Sequence, residues 1–445
     1  DGRWTLVNTC SANADLKIAN RKGESALERQ AEPAYAVASI LGAVYPEDLF
    51  SYSWKKLMQN HPHDSICGCS VDEVNREIEA RFAKSLQVAE ELYKNGLHLI
   101  ADQIDTKFVT SDDGKKQITF AVFNFSGWKK TQVITVELDA KRIYENLTQS
   151  WNELEGESFP EFALYDVSGN KVNAKIERKT TAFGYDLPDD RFRQPYMAQR
   201  VQVTFEAEDV PAIGYQVYVL KEAESLSTDT HELIETSTET TEATSKDKEF
   251  VMENENVFVR INLDGSFDLT DKKTGHTFEN CGIYEDTGDM GNEYIYIQDT
   301  DRQTITTRNI PATIFVEENS AIRSVVKVRH ELEVPEAIGD EILPQRYSCV
   351  DLYQRKAKRS EKLVKLSIET TLTLEHHAKG VKVQTTVVNT AKDHRLRVLF
   401  PAGLDSDMHF ADSTFEVVRR PNRHGKAWTN PSACEHEQCF VAMED

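Results

Sequence analysis

The sequence predicts an α+β chain, an antiparallel three-helix bundle followed by antiparallel β-sandwich domains. Three observations carry this. Apolar residues recur at spacings of three and four from about Asn13 to Ile104. After the turn-forming run Ser111-Asp112-Asp113-Gly114-Lys115-Lys116 they recur at every second position instead. Beyond residue 250, short alternating runs follow one another with little helical pattern between them, as in a large sandwich. The expected domains are a helical bundle over 1–110, a β-domain over 111–221, a linker or long loop over 222–249 and a β-supersandwich over 250–445.

The first helix is predicted over about Asn13 to Leu41, with Leu27, Ala31, Ala34, Ala38 and Leu41 on its core face and a kink or restart at Pro33. A second follows Pro46, a favourable residue for a first turn, with rows Leu49, Ser53, Leu57 and Phe50, Trp54, Met58. The third places Val74, Ile78, Phe82, Leu86, Ala89 and Tyr93 along one side. Ser70 and Glu73 have the spacing of a capping box, which starts that helix at Ser70.

Between the second and third helices lies Asn60-His61-Pro62-His63-Asp64-Ser65-Ile66-Cys67-Gly68-Cys69, where two imidazoles, a carboxylate and two thiols share one short loop. Pro62 stops the preceding helix near Gln59. A loop clamped by helices on both sides is how a rigid scaffold presents reactive side chains. Neutral imidazole is the commonest metal ligand, and a neighbouring carboxylate orients it or holds a hydroxyl. Alternate residues such as His61 and His63 point to opposite sides, so one of them is a spectator. The competing reading is a loop histidine satisfied by its neighbour. Cys67 and Cys69, one residue apart, are too tight for the usual redox spacing.

The strands begin with Ile118, Phe120 and Val122 and continue through Val133 and Thr135, Val201 to Phe205, and Tyr215 to Val219 after the Pro211–Gly214 turn. This β-domain is expected to buttress the helices. Residues 222–249, rich in Ser, Thr and Glu, hold too little apolar surface to order themselves. Later strands are expected at Val257–Ile261, Phe267–Leu269, Ser324–Val334, Leu363–Leu374, Val381–Val388 and Leu396–Phe400.

Composition narrows the function classes. The chain has 445 residues and a formal net charge of −22, which argues against nucleic acid, because phosphate binding runs on Lys and Arg. No apolar run approaches the roughly 18 residues that would cross a bilayer, so no membrane partner is expected. The cysteines, 7 in number, show no disulfide-framework spacing, and no signal peptide is apparent; a reducing cytoplasm fits that usage.

The run from Pro62 to Gly68 resembles the middle segment of glycoside hydrolase family 38, the retaining, zinc-dependent α-mannosidases, most closely the bacterial branch that includes mannosylglycerate hydrolases. Leu16 to Asn20, Leu27 to Pro33 and Trp54 to Leu57 are similar to the helical region of that family as well. The resemblance implies His63 as one zinc ligand and Asp64 as a contact to sugar hydroxyls. It implies that Glu285 to Tyr294 reaches back to the active site, with Tyr294 as a further sugar contact. The family's remaining zinc ligands, its nucleophile and its acid/base belong to an N-terminal α/β domain, and no matching stretch precedes the helices here. No catalytic carboxylate is therefore expected in the chain; both are expected upstream of Asp1. The chain reads as an interior piece of a longer enzyme, truncated also within its C-terminal β structure.

The function expected is thus a share in hydrolysing α-mannosidic bonds, with a mannoside or mannose-containing oligosaccharide as substrate, zinc as cofactor, the N-terminal domain as partner and a homodimer left open. The chain by itself is expected to be inactive. A mannosylglycerate hydrolase and a non-catalytic carbohydrate-binding or scaffold module are the alternatives. Lesser candidates are a thiol–imidazole cluster at Cys434, His436 and Cys439, a sugar-stacking Trp428, and a calcium loop among the carboxylates of residues 285–294.

Overall fold

A computed structural model of the chain describes residues 6–106, 117–157, 160–188, 190–223, 250–427, 437 and 439–444. The 111–116 turn, Trp428, Cys434, His436 and nearly all of the 222–249 tract lie outside the described residues, while Glu222 ends a strand. Helices and several antiparallel sheets give the α+β class expected.

The first unit is built from α1 (Ala14–Ala26), α2 (Glu32–Ile40), α3 (Glu47–Met58), α4 (His63–Ile66) and α5 (Asp72–Ala101). α1 and α2 are joined by a wider π-helical turn, Leu27–Ala31. Pro33 has no N–H to return to the preceding turn, and the looser pitch just before it absorbs that loss. α5 is the long central member, packed by α1, α2 and α3. Leu16, Leu27, Ala31, Phe50, Leu57, Ile78, Phe82 and Leu92 close the core. Each buried leucine or phenylalanine contributes about 1.5–3 kcal/mol of transfer free energy. Ser53 and Ser85, fully buried, exchange hydroxyl-to-carbonyl bonds of 2.9 and 3.0 Å, which seats α3 tightly on α5. Leu41, Leu49, Met58 and Val74, expected on core faces, are exposed; each lies at a helix end or beside the buried row, where three helices cannot enclose the full apolar width.

The capping box does not form. α5 begins at Asp72, and the Ser70 hydroxyl donates to the Asp64 carbonyl at 3.1 Å instead.

Residues 117–222 form a sandwich. One sheet runs Gln117–Asn124, Gly214–Glu222, Phe162–Asp166, Lys171–Val172; the other centres on Gln194–Val210, flanked by Lys130–Ile143 and Ala174–Arg178. Val201, Val203 and Phe205 meet Phe162, Leu164, Tyr218 and Leu220 between the sheets. Val217 and Val219, on the other face of Gly214–Glu222, pack with Ile104 just beyond α5. The centre of this strand, Val217 to Leu220, is therefore buried on both faces. A helix at Leu147–Gly156, with Ser150 and Leu154 buried, has no counterpart in the expected strand series.

In the residues after 250, strands Arg323–Pro335 and Leu363–Glu375 pair over their full length. One half of this pair covers the sheet Phe250–Cys281 through Val326, Val328, Leu372 and Leu374. The other half covers Tyr284 on Ile283–Gly288 through Leu332, Val334, Leu366 and Ile368. Alternating inward residues on one long ribbon thus bind two sheets, the arrangement of a broad sandwich.

Candidate functional site at the junction of the bundle and the second sandwich

The loop after α3 is fixed from below. Asn60 is fully buried and gives its amide to the Ile78 carbonyl on α5 at 3.1 Å, while His61 Nε2 meets Asn20 Oδ1 of α1 at 2.8 Å. His61 is thereby tied to α1. Pro62 is extended, and α4 then makes a single turn that turns His63 outward, its side chain 90% exposed. His63 Nε2 lies 3.4 Å from Asp64 Oδ1.

The return to α5 is equally constrained. Gly68 adopts φ +73°, and a Cβ there would sit 2.8 Å from Asn13 Cβ. Asn13 gives its amide to the Gly68 carbonyl at 2.6 Å, and Lys17 Nζ donates to the Cys67 carbonyl at 3.0 Å and to that of Ala12. Burial lowers the pKa of the Lys17 ammonium, opposed by the nearby Cys67, Cys10 and Cys69. Cys69 Sγ approaches the Asp64 carbonyl at 3.4 Å and Asp64 Oδ1 at 3.7 Å.

Tyr294 arrives at this thiol from the second sandwich. Its hydroxyl is raised to about 12, first by a hydrogen bond with Cys69, then by burial and by the neighbouring Cys69, Asp64 and Glu293. The turn that carries it is organised by Asp289, whose Oδ1 accepts from Gly291 N at 2.8 Å and Ile297 N at 3.0 Å, and whose Oδ2 accepts from Asn8 Nδ2 at 2.9 Å. Burial raises the Asp289 carboxyl above its ordinary value against these donors. Gly291 is obligatory, because a Cβ would fall 1.8 Å from the Ile295 carbonyl oxygen. Asn8 also reaches the carbonyls of Asn292 at 2.8 Å and Tyr294 at 3.2 Å, the second through its backbone N–H.

His63, Asp64, Cys69 and Tyr294 are thus brought to one surface by two units of the fold. The other carboxylates of the acidic stretch diverge. Asp286 is fully buried against Arg359 at 2.6 Å and His394 at 2.5 Å, and Glu285 pairs with Arg397. No calcium loop forms, since among the described residues these side chains do not converge on one point. Of the thiol–imidazole candidate only Cys439 is described; its Sγ lies 2.8 Å from Arg21 Nη2. Asn8, Cys69 and Asp289 build the site without having been assigned to it from the sequence. Asp289 two residues before Gly291 was the one local signal available.

Residues 5–100 match the alpha mannosidase middle domain, residues 115–222 the glycosyl hydrolases family 38 C-terminal domain 1, and residues 252–445 the glycosyl hydrolases family 38 C-terminal domain. The chain belongs to glycoside hydrolase family 38. Among its family 38 relatives, a protein of Halalkalibacterium halodurans named "Putative mannosylglycerate hydrolase" is 35% identical over 449 residues, covering 100% of this chain and 48% of the relative. The crystal structure of an alpha-mannosidase from Enterococcus faecalis V583 superposes with a TM-score of 0.93 at 38% identity, over 100% of this chain and 49% of that one. A second Enterococcus faecalis structure, of a protein in glycosyl hydrolase family 38, gives a TM-score of 0.89 at 36% identity, over 99% of this chain and 50% of that one. This family 38 chain therefore spans about half the length of the relatives it matches.

The donor set can be weighed against the zinc that the family implies. His63 offers an exposed imidazole with a carboxylate beside it. Structural and catalytic zinc sites take three or four protein ligands, and no such set assembles around His63 among the described residues. The loop fits as a single arm of a shared site.

Proposed function

We propose that the chain forms part of a retaining glycosidase acting on α-mannosides, in which His63 provides one zinc ligand and Asp64 and Tyr294 hold sugar hydroxyls. The observation that carries this reading is the convergence of the α4 loop and the Asp289–Tyr294 turn on one exposed face. Zinc there would supply a template for neighbouring hydroxyls and charge stabilisation near the reacting carbon. Within the chain, α4 aims the imidazole, the Asp64 carboxylate accepts hydroxyl protons in hydrogen bonds, and the phenol of Tyr294 donates. The nucleophile and the acid/base that a retaining hydrolase requires are proposed to come from the α/β part of the longer protein. All six described cysteines are free, which supports a reducing, cytoplasmic setting.

Mannosylglycerate is a second candidate substrate, favoured by the name of the Halalkalibacterium relative. The test uses the full-length gene product, measuring zinc content and hydrolysis of p-nitrophenyl α-mannoside and of mannosylglycerate, with and without His63→Ala. We expect loss of zinc and at least a hundredfold loss of turnover on whichever substrate is cleaved. Unchanged zinc and unchanged turnover in the variant would leave a carbohydrate-binding or scaffold role instead.

A further inference from the structure

Glu206, on strand Gln194–Val210 of the first sandwich, faces the turn that follows strand Leu363–Glu375 in the second. Its Oε2 lies 3.3 Å from His376 Nδ1 and 3.5 Å from His377 Nε2. Both separations exceed the roughly 2.9–3.0 Å of a good N–H···O bond. They match the edge of a coordination tetrahedron, because ligands held at about 2.0–2.1 Å from zinc and a tetrahedral angle apart lie about 3.3–3.4 Å from each other. Ligand atoms of Glu206, His376 and His377 all fall within 4.8 Å of one another.

The opposite side of His377 completes the pattern. Its Nδ1 is 2.9 Å from Glu255 Oε1. With the Nδ1 proton given to Glu255, Nε2 presents a lone pair toward the Glu206 carboxylate, and two acceptors face each other. Either a proton or a cation must lie between them. A metal-binding histidine ordinarily passes its other N–H to a carboxylate in this way, which fixes the ring and raises its basicity. The two imidazoles lie with centroids 4.2 Å apart and planes tilted by 37°, so both can address one point.

We propose that Glu206, His376 and His377 form a binding site for a divalent metal of the zinc class that cross-links the two sandwiches. Two imidazoles and one carboxylate suit zinc, copper or nickel rather than magnesium or calcium, which prefer all-oxygen shells. Glu255 and Glu208 add negative charge around His377 that a dication neutralises. The histidine side chains are 37% exposed, so water can fill a remaining coordination position. Nearby, Lys175 on the first sandwich and Glu318 on the second stand 3.8 Å apart, a weaker tie across the same junction.

The test is calorimetric titration of the chelator-stripped chain with zinc chloride, in a His63→Ala background so that this imidazole contributes nothing. One equivalent should bind in the micromolar range or tighter, magnesium should not compete, and zinc should raise the thermal midpoint. His377→Gln and Glu206→Gln, which keep the side-chain polarity and nearly the shape, should each weaken binding at least tenfold and abolish the thermal shift. No binding to the parent means that a proton holds the cluster and overturns the proposal. Binding that survives both substitutions overturns it equally.

Discussion

The side-chain amide of Asn8 donates to Oδ2 of Asp289 at 2.9 Å, joining the start of the helical unit to the turn that delivers Tyr294. Burial has already raised the Asp289 carboxyl, so each donor on it matters.

Asn8→Ala removes that donor and the one to the Asn292 carbonyl at 2.8 Å. The expected cost is about 1–3 kcal/mol, read by urea denaturation at neutral pH. Asp289 then binds its proton still more tightly in the fold than at the ordinary 3.8 of the unfolded chain. The variant should therefore recover part of the loss as pH falls through the folded value toward 3.8. A deficit that stays constant with pH would contradict the assignment.

Gly68→Ala should disturb the His63 loop and leave the bundle folded. A left-handed backbone with a side chain costs about 1–2 kcal/mol, and the new methyl must displace Asn13, 2.8 Å away. Amide exchange should accelerate across residues 63–69 while the centre of α5 remains protected. Equal acceleration in both segments would show that the loop and the bundle open together.

The bond between Tyr294 and Cys69 is testable by absorbance. Cys69→Ala removes the first cause of the raised phenol, so Tyr294 should ionise closer to the ordinary 10 than to about 12. The signal is the difference between Cys69→Ala and Cys69→Ala/Tyr294→Phe near pH 10 to 11, set against the same comparison with Cys69 intact. Identical differences would mean that the thiol does not govern the phenol.

His330 is largely buried, with its Nε2 2.8 Å from the Asp264 carbonyl, and burial lowers its pKa below the ordinary 6.5. A depressed histidine is neutral in the fold and charged once unfolded. Its contribution is complete above about pH 6.5 and lost as pH falls through the folded value. Denaturation midpoints of the parent should drop over that window, at most by about 1.4 kcal/mol per pH unit from this group. In His330→Gln the dependence should be flatter; the same slope in both proteins would exclude His330 as its source.

The helices were legible because little besides an amphipathic helix repeats its apolar residues every 3.6 positions over so long a stretch, and Pro46 and Pro62 mark where α3 starts and stops. The loop at His63 stood out for the density of its chemistry. The approach of Tyr294 was accessible only through resemblance, since nothing local ties residue 294 to residue 69. Ser70 misled because a capping box is defined by spacing alone, and here its hydroxyl had a nearer acceptor in the Asp64 carbonyl. The acidic run 285–294 left a cation loop as a lesser alternative because one dimension cannot show that Asp286 turns inward to Arg359 while Asp289 folds back on its own turn. Asn8 carries no signature at all; a single amide becomes informative only when the segment 281 positions away is beside it.

Strand Gly214–Glu222 touches protein on both sides, through Tyr218 and Leu220 toward one neighbour and Val217 and Val219 toward the other. Separating the helical unit from the first sandwich would remove Ile104, and with it apolar cover, from that strand. Heating should then melt the bundle and the first sandwich in a single step, whereas two separate transitions would show that the Ile104 contact does not couple them.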